Sequence, residues 1–291
     1  MTAAMVDSVT SDEVLLGEIE AALAAAIDAC GLGPLLDEAT RYALLGGGKR
    51  LRPMLALRAC EAVGGVRVNA MPAAVALECI HAFSLVHDDL PAMDDDDLRR
   101  GRPTTHKVYG EAVGILVGDL LQGLAAEVAL ESPVAPVAVT RAVLEGSRLM
   151  IEGQIHDTVG GFAAGMTDEF ERLRHIHRLK TAALIRAACR AGALAGGGDA
   201  TALDRYGESI GLMFQVVDDI LDETQSTEHL GKTGGKDKAA GKRTYPALLG
   251  LDGSRAEVEG LETTAIEALA GLGPAAEPLR ALARRLAIRT R

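Results

Sequence analysis

The stretch His81-Ala-Phe-Ser-Leu-Val-His-Asp-Asp-Leu-Pro-Ala-Met-Asp-Asp-Asp-Asp-Leu-Arg-Arg-Gly-Arg-Pro103 changes character twice. An apolar helical run that begins near Pro72 ends in the carboxylates Asp88 and Asp89. A break at Pro91 follows, then Asp94 to Asp97 and the basic pair Arg99 and Arg100. Two carboxylates about 4 Å apart repel by roughly 4 kcal/mol at an effective dielectric near 20. The C-terminal end of a helix dipole is also unfavourable to anions, so the pair makes sense if a cation sits there. Oxygen-only ligands suit Mg2+, Mn2+ or Ca2+, and the adjacent arginines imply a metal bound together with an anion such as phosphate. Taken alone, Asp95 to Asp97 read equally well as a solvated acidic turn.

Outward from this stretch, the composition is that of an all-α chain. Alanine and leucine dominate the 291 residues, aromatics make up 3%, and alternating Val/Ile stretches are missing. No linker divides the chain, so residues 1–291 read as a single domain, large enough to leave a ligand cavity between helices. A formal net charge of −11 argues against nucleic acid and anionic membrane surfaces as partners. The most apolar window, 112–130, is interrupted by Asp119, Gln122 and Glu127, which argues against a membrane span. Cys30, Cys60, Cys79 and Cys189 sit apart in apolar stretches and read as reduced thiols. The first twenty residues contain acids and no basic residue, unlike a signal or transit peptide, so the expectation is a cytoplasmic protein.

Thr10 and Glu13 form a capping-box pattern for a first helix reaching about Cys30, and a second ends at Gly46-Gly47-Gly48. Lys49-Arg50-Leu51-Arg52 then feeds a helix opened by Pro53, an arrangement able to cradle an anion or simply to cap the helix. Further helices are expected over about 72–90, 112–131, 134–159, 167–195, 199–224, 255–271 and 275–288, judged from apolar periodicity. On the 72–90 helix, His81, Ser84 and Asp88 share a stripe. Lys180-Thr181 interrupts an apolar run, where a lysine either snorkels or meets an anion at a cavity wall.

A second acidic motif, Gln215-Val-Val-Asp218-Asp219-Ile-Leu-Asp222, sets Asp218 and Asp222 four residues apart on one helix face, with Gln215 one turn earlier. Aspartates on two separate helices could clamp metal ions between them. The Gly- and Lys-rich stretch from Gly231 to Pro246 reads as a basic lid or a solvated linker.

From Gly46 to Pro246 these blocks resemble the trans-isoprenyl diphosphate synthases. Gly-Gly-Lys-Arg-Leu-Arg-Pro at 47–53, the aspartate-rich 88–94 with Arg99-Arg100-Gly101, Lys180-Thr181, and the aspartate-rich 218–222 occur in that family's order. The resemblance implies an antiparallel helical bundle around a deep central cavity, a homodimer, and Mg2+ between the acidic motifs. It assigns Lys49, Arg52, His81 and Arg100 to the diphosphate of isopentenyl diphosphate. Arg99, Lys180 and Lys232 would hold the allylic diphosphate (dimethylallyl or geranyl), Thr181 and Gln215 would line the reacting end, and Asp88, Asp94, Asp218 and Asp222 would ligate the metal. The first motif carries two extra residues, as in bacterial farnesyl and plant-type geranylgeranyl synthases. In an unbroken helix Asp88 and Asp94 would point about 240° apart, so Pro91 must end the helix for both to reach one metal.

The implied reaction is ionisation of the allylic diphosphate, condensation and proton loss, with no side-chain nucleophile. A terpene cyclase is disfavoured by four Phe, four Tyr and no Trp, since travelling cations need aromatic walls. A catalytically silent partner subunit is disfavoured by the intact acidic and basic positions. Product length turns on Phe83, five residues before Asp88 and the usual tunnel floor of the family, although helix geometry puts Ser84 nearer the shared stripe. Farnesyl diphosphate is the expected main product and geranylgeranyl diphosphate the alternative.

Overall fold

A computed structural model describes residues 11–224 and 243–290. Ser11 caps the first helix, its Oγ accepting from the Val14 N–H, so the cap lies one residue past Thr10, itself outside the described residues. Helices α1 (Asp12–Ala29), α2 (Pro34–Leu44) and α3 (Leu51–Ala62) lead through a short 3-10 turn to α4 (Met71–Asp88). After a two-stranded hairpin, β1 (Leu98–Arg99) and β2 (Arg102–Pro103), come α5 (Thr105–Tyr109), α6 (Glu111–Leu130) and α7 (Pro136–Thr158). Neither the hairpin nor α5 is expected from periodicity; both are too short to carry any.

The 167–195 pattern is not one regular helix. It comprises α8 (Glu169–His177), a π-helical turn over Arg178–Ala182, and α9 (Ala183–Ala195). Then follow α10 (Thr201–Thr224), α11 (Tyr245–Ala268) and α12 (Glu277–Ile288). α11 starts about ten residues before the sequence pattern does. Thr244 caps it and Pro246 occupies its first turn, but Gly250 at φ 71° kinks it and breaks the apolar period.

Helix α9 is the axis of the bundle, packed by α3, α7 and α10, while α4 lies chiefly on α6 and α10 on α11. One buried apolar cluster runs from Leu15 to Ala287. Glycines set the close approaches: a Cβ at Gly192 would stand 2.1 Å from Ala56 O, and one at Gly211 2.4 Å from Ala182 Cα. On length and composition alone, Arg67–Asp88 and Glu111–Leu130 would each suffice to cross a membrane, but 67% of the first window is buried among the other helices.

Candidate active site

The first acidic motif folds as the proline predicts. α4 stops at Asp88, and the loop turns back so that the Asp94 N–H donates to Asp88 O at 2.9 Å. Burial, reinforced by the neighbouring Asp94 and Asp89, pushes the Asp88 carboxyl up to about 6, against the pull of Lys180 and Arg99. A carboxylate so crowded by its own kind has the donor chemistry a hard cation fits. Among the described residues no three His, Cys, Asp or Glu side chains are already gathered around one point. Asp95 to Asp97 belong to the turn: Asp97 is exposed and paired with Lys107 at 2.6 Å, and Asp95 has φ 48°.

Asp89 faces the other way. It is buried and receives the Arg99 Nε at 2.8 and 3.0 Å and Nη2 at 2.6 Å. Arg99, expected on the allylic diphosphate, is therefore held by Asp89 in this structure, a bidentate clamp that fixes its plane.

The basic loop divides into two roles that its composition does not distinguish. Arg50, with φ 45°, turns inward, where its buried guanidinium meets Glu78 at 2.7 Å and Glu20 at 2.7 Å. Burial opposes its charge, but the two glutamates outweigh it and raise its pKa. It is a structural cation rather than part of an anion cradle. Arg52 differs: its Nε is buried with no hydrogen-bond partner, and burial lowers its pKa, with Arg100 adding to the effect. His81 is driven well below the ordinary imidazole range by burial, then by Arg52 and Arg100.

Arg100 owes its position to the hairpin. Arg100 and Gly101 have φ 55° and 74°, as a two-residue type I′ turn requires, at some cost for the arginine. Its guanidinium rests on Gly48, where a Cβ would lie 2.5 Å from Nη1, and Gly48 itself has φ 139°, a conformation that favours glycine. Arg52 and Arg100 thus supply under-compensated positive charge beside His81, a setting for a polyanion. Lys49 is exposed beside it.

On α10, Gln215, Asp218 and Asp222 are half-exposed on one stripe while Asp219 is buried. The Thr181 hydroxyl donates to Gln215 Oε1 at 3.1 Å and the Gln215 amide donates to Asp219 Oδ1 at 3.0 Å, fixing the amide orientation. Lys180 is half-buried in the π-turn, its Nζ 2.5 Å from Asp157 Oδ2. A π-turn inside a helix is a frequent mark of a functional site. On α4, His81, Ser84 and Asp88 are half-exposed, whereas Phe83 is buried, its ring edge-on to His87 at 5.8 Å between centroids. His87 in turn sits against Gly118 of α6. Lys232 and the loop 231–242 lie outside the described residues.

Sequence reasoning missed Asp157, Glu20 and Glu78, and gave Asp219, though part of the second acidic motif, no role of its own. Of the three missed, only Glu78 carried a signal, as a lone carboxylate inside an apolar helical run.

Asp88 within electrostatic reach of Lys180 and Arg99, with Thr181 tied to Gln215 of α10, gathers acids and cations at one side of an otherwise buried all-α bundle, the make-up of a helical protein with a site for an anionic substrate. Residues 33–268 match polyprenyl synthetase, and the chain belongs to that family as a short-chain trans-prenyltransferase of the geranylgeranyl/farnesyl diphosphate synthase type. It is 51% identical, over 89% of its length and 75% of the relative's, to chloroplastic geranylgeranyl pyrophosphate synthase 9 of Arabidopsis thaliana. Among solved structures, it resembles a geranyltransferase from Legionella pneumophila with TM-score 0.81 and 34% identity, covering 96% of each chain. It also resembles the geranylgeranyl pyrophosphate synthetase of Pyrococcus horikoshii, with TM-score 0.80 and 30% identity over 94% of this chain and 98% of that one.

The expectation of a cytoplasmic protein is overturned by these relatives, since synthase 9 and two further Arabidopsis synthases, 50% and 49% identical, are chloroplastic.

Proposed function

We propose that this enzyme condenses isopentenyl diphosphate with allylic diphosphates in a magnesium-dependent reaction whose main product is geranylgeranyl diphosphate. The observation that carries the reading is the under-compensated charge of Arg52 and Arg100 beside His81 and the crowded carboxylate of Asp88. One diphosphate would neutralise that charge, with Lys49 reaching it from the surface. The second diphosphate would meet Lys180, and Arg99 with the hydrogens Asp89 leaves available. Asp88 at the end of α4 and Asp94 in the loop that follows, with Asp218 and Asp222 from α10, would hold Mg2+, which when bound supplies positive charge against the departing diphosphate.

The allylic C–O bond breaks with its electron pair leaving on diphosphate, the isopentenyl double bond attacks the allylic carbon, and the resulting cation loses a proton to the released diphosphate. The chain's contribution is placement: His81, kept neutral, donates one hydrogen bond; Thr181 and the oriented Gln215 border the reacting end; the cations hold both diphosphates.

The C20 product is supported by the name of the 51% identical relative and by Phe83, which packs under His87 rather than on the open stripe. The farnesyl reading has less support, resting on the bulk of Phe83 five residues before Asp88. Residues 1–291 are read as one catalytic domain, on the strength of the continuous apolar cluster. A homodimer is part of the proposal, because Ile115, Leu116 and Leu130 of α6 and Val137, Leu144 and Ile151 of α7 leave an exposed apolar face, the last three repeating every seventh residue. Burying that face against a second copy also removes the need for a membrane.

The test is incubation of the purified enzyme with isopentenyl and dimethylallyl or geranyl diphosphate, with Mg2+ and with chelator, followed by product chromatography. A C20 product that disappears on chelation is expected. A C15 end product would favour the farnesyl reading, and no metal-dependent condensation would overturn both.

A further inference from the structure

Helix α7 receives Lys180 twice. Gly153 meets its backbone, since a Cβ there would stand 2.2 Å from Lys180 N. One turn on, Asp157 meets its ammonium at 2.5 Å. Both contacts depend on the π-turn over Arg178–Ala182, which is pressed from the opposite side by α10, where a Cβ at Gly211 would fall 2.4 Å from Ala182 Cα. Held between two glycines, the turn cannot slip by one residue without steric overlap, so Lys180 has a fixed root. The pair is half-buried, with side-chain exposures of 27% for Lys180 and 24% for Asp157. Solvent therefore screens it only in part.

A free lysine side chain is rich in rotamer entropy. Binding a diphosphate with such a chain costs much of that freedom unless something else has already ordered it. An ammonium has three donors. One hydrogen on Asp157 leaves two for an incoming anion, so substrate need not displace the aspartate.

We propose that Asp157 is a positioning residue that orders the Lys180 ammonium before the allylic diphosphate arrives. This rests on the assignment of Lys180 to that diphosphate, and the experiment separates the two claims.

Steady-state kinetics of the full chain would compare Asp157→Asn, Asp157→Glu, Lys180→Ala and the Asp157→Asn/Lys180→Ala double variant, with thermal melts for each. Asp157→Asn should raise the allylic KM about tenfold with little change in the isopentenyl KM. Asp157→Glu, which keeps the carboxylate, should recover part of the loss. In the Lys180→Ala background, Asp157→Asn should have no further effect on the allylic KM, because the group it orders is gone. If Lys180→Ala raises the allylic KM and Asp157→Asn leaves or lowers it, the positioning role is overturned and the Lys180 assignment stands. If Lys180→Ala leaves it unchanged, the assignment itself fails. Equal rises in both KM values, additive effects in the double variant, or a melting loss that Asp157→Glu shares would mark Asp157 as merely structural and likewise overturn the proposal.

Discussion

The backbone N–H of Tyr245 donates to Asp219 Oδ2 at 3.0 Å, so the first residue of α11 hangs from the second acidic helix. The other oxygen of Asp219 accepts from Gln215, which accepts from Thr181. One buried carboxylate thereby joins the reacting end of the site to the start of α11.

Asp219→Asn replaces one acceptor with a donor and leaves either the Tyr245 N–H or the Gln215 amide facing an NH2 group. The expected cost is about 1–3 kcal/mol of stability, with reduced turnover although Asp219 is outside the proposed metal set. Denaturant titration and kinetics check this; a variant as stable and active as the parent would refute the relay.

Asp88 supplies a pH dependence. With its carboxyl up to about 6 when no cation is present, metal must displace a proton below that pH, and Mg2+ affinity should fall by up to about tenfold per pH unit there. The sign for stability is the reverse. A raised folded-state pKa makes ionised Asp88 a burden above pH 6, so Asp88→Asn should raise the melting temperature of the metal-free protein at neutral pH while nearly abolishing turnover. Calorimetric Mg2+ titrations across pH 5–8 and melts of the variant test both halves.

Neighbouring arginines should fail differently. Arg50→Ala leaves Glu78 buried without its cation and should cost about 3–5 kcal/mol of stability. Arg52→Met removes an under-compensated cation, so the melting temperature should hold or rise while the isopentenyl KM climbs and the allylic KM stays put. Similar melting losses for the two would contradict the division of roles.

Product length separates Phe83 from Ser84. Ser84 lies on the half-exposed stripe with His81 and Asp88, its Oγ tied to His81 O at 2.8 Å, whereas Phe83 is packed away toward His87. Ser84→Phe should place a ring on the open side and shorten the products. Phe83→Ala should leave the chain-length distribution unchanged, as chromatography would show; longer products would make its ring the tunnel floor.

The sequence by itself determined the helical class, the ends of most helices, and the ordered acidic and basic blocks, because these are local quantities. Apolar period, a helix-ending Pro91 and the charge at Asp88 or Asp218 can each be read within one or two turns. It could not separate Arg50 from Arg52, since the partners that decide, Glu20 and Glu78, come from other helices. Nor could it find the π-turn at Lys180, the Asp157 pairing or the Asp219–Tyr245 link. Those contacts depend on the register between helices, which is set by glycines at 153, 192 and 211 admitting a neighbouring chain closer than any Cβ allows. Sequence spacing fixes which residues share a face of one helix; only close packing decides which face of the next helix they meet.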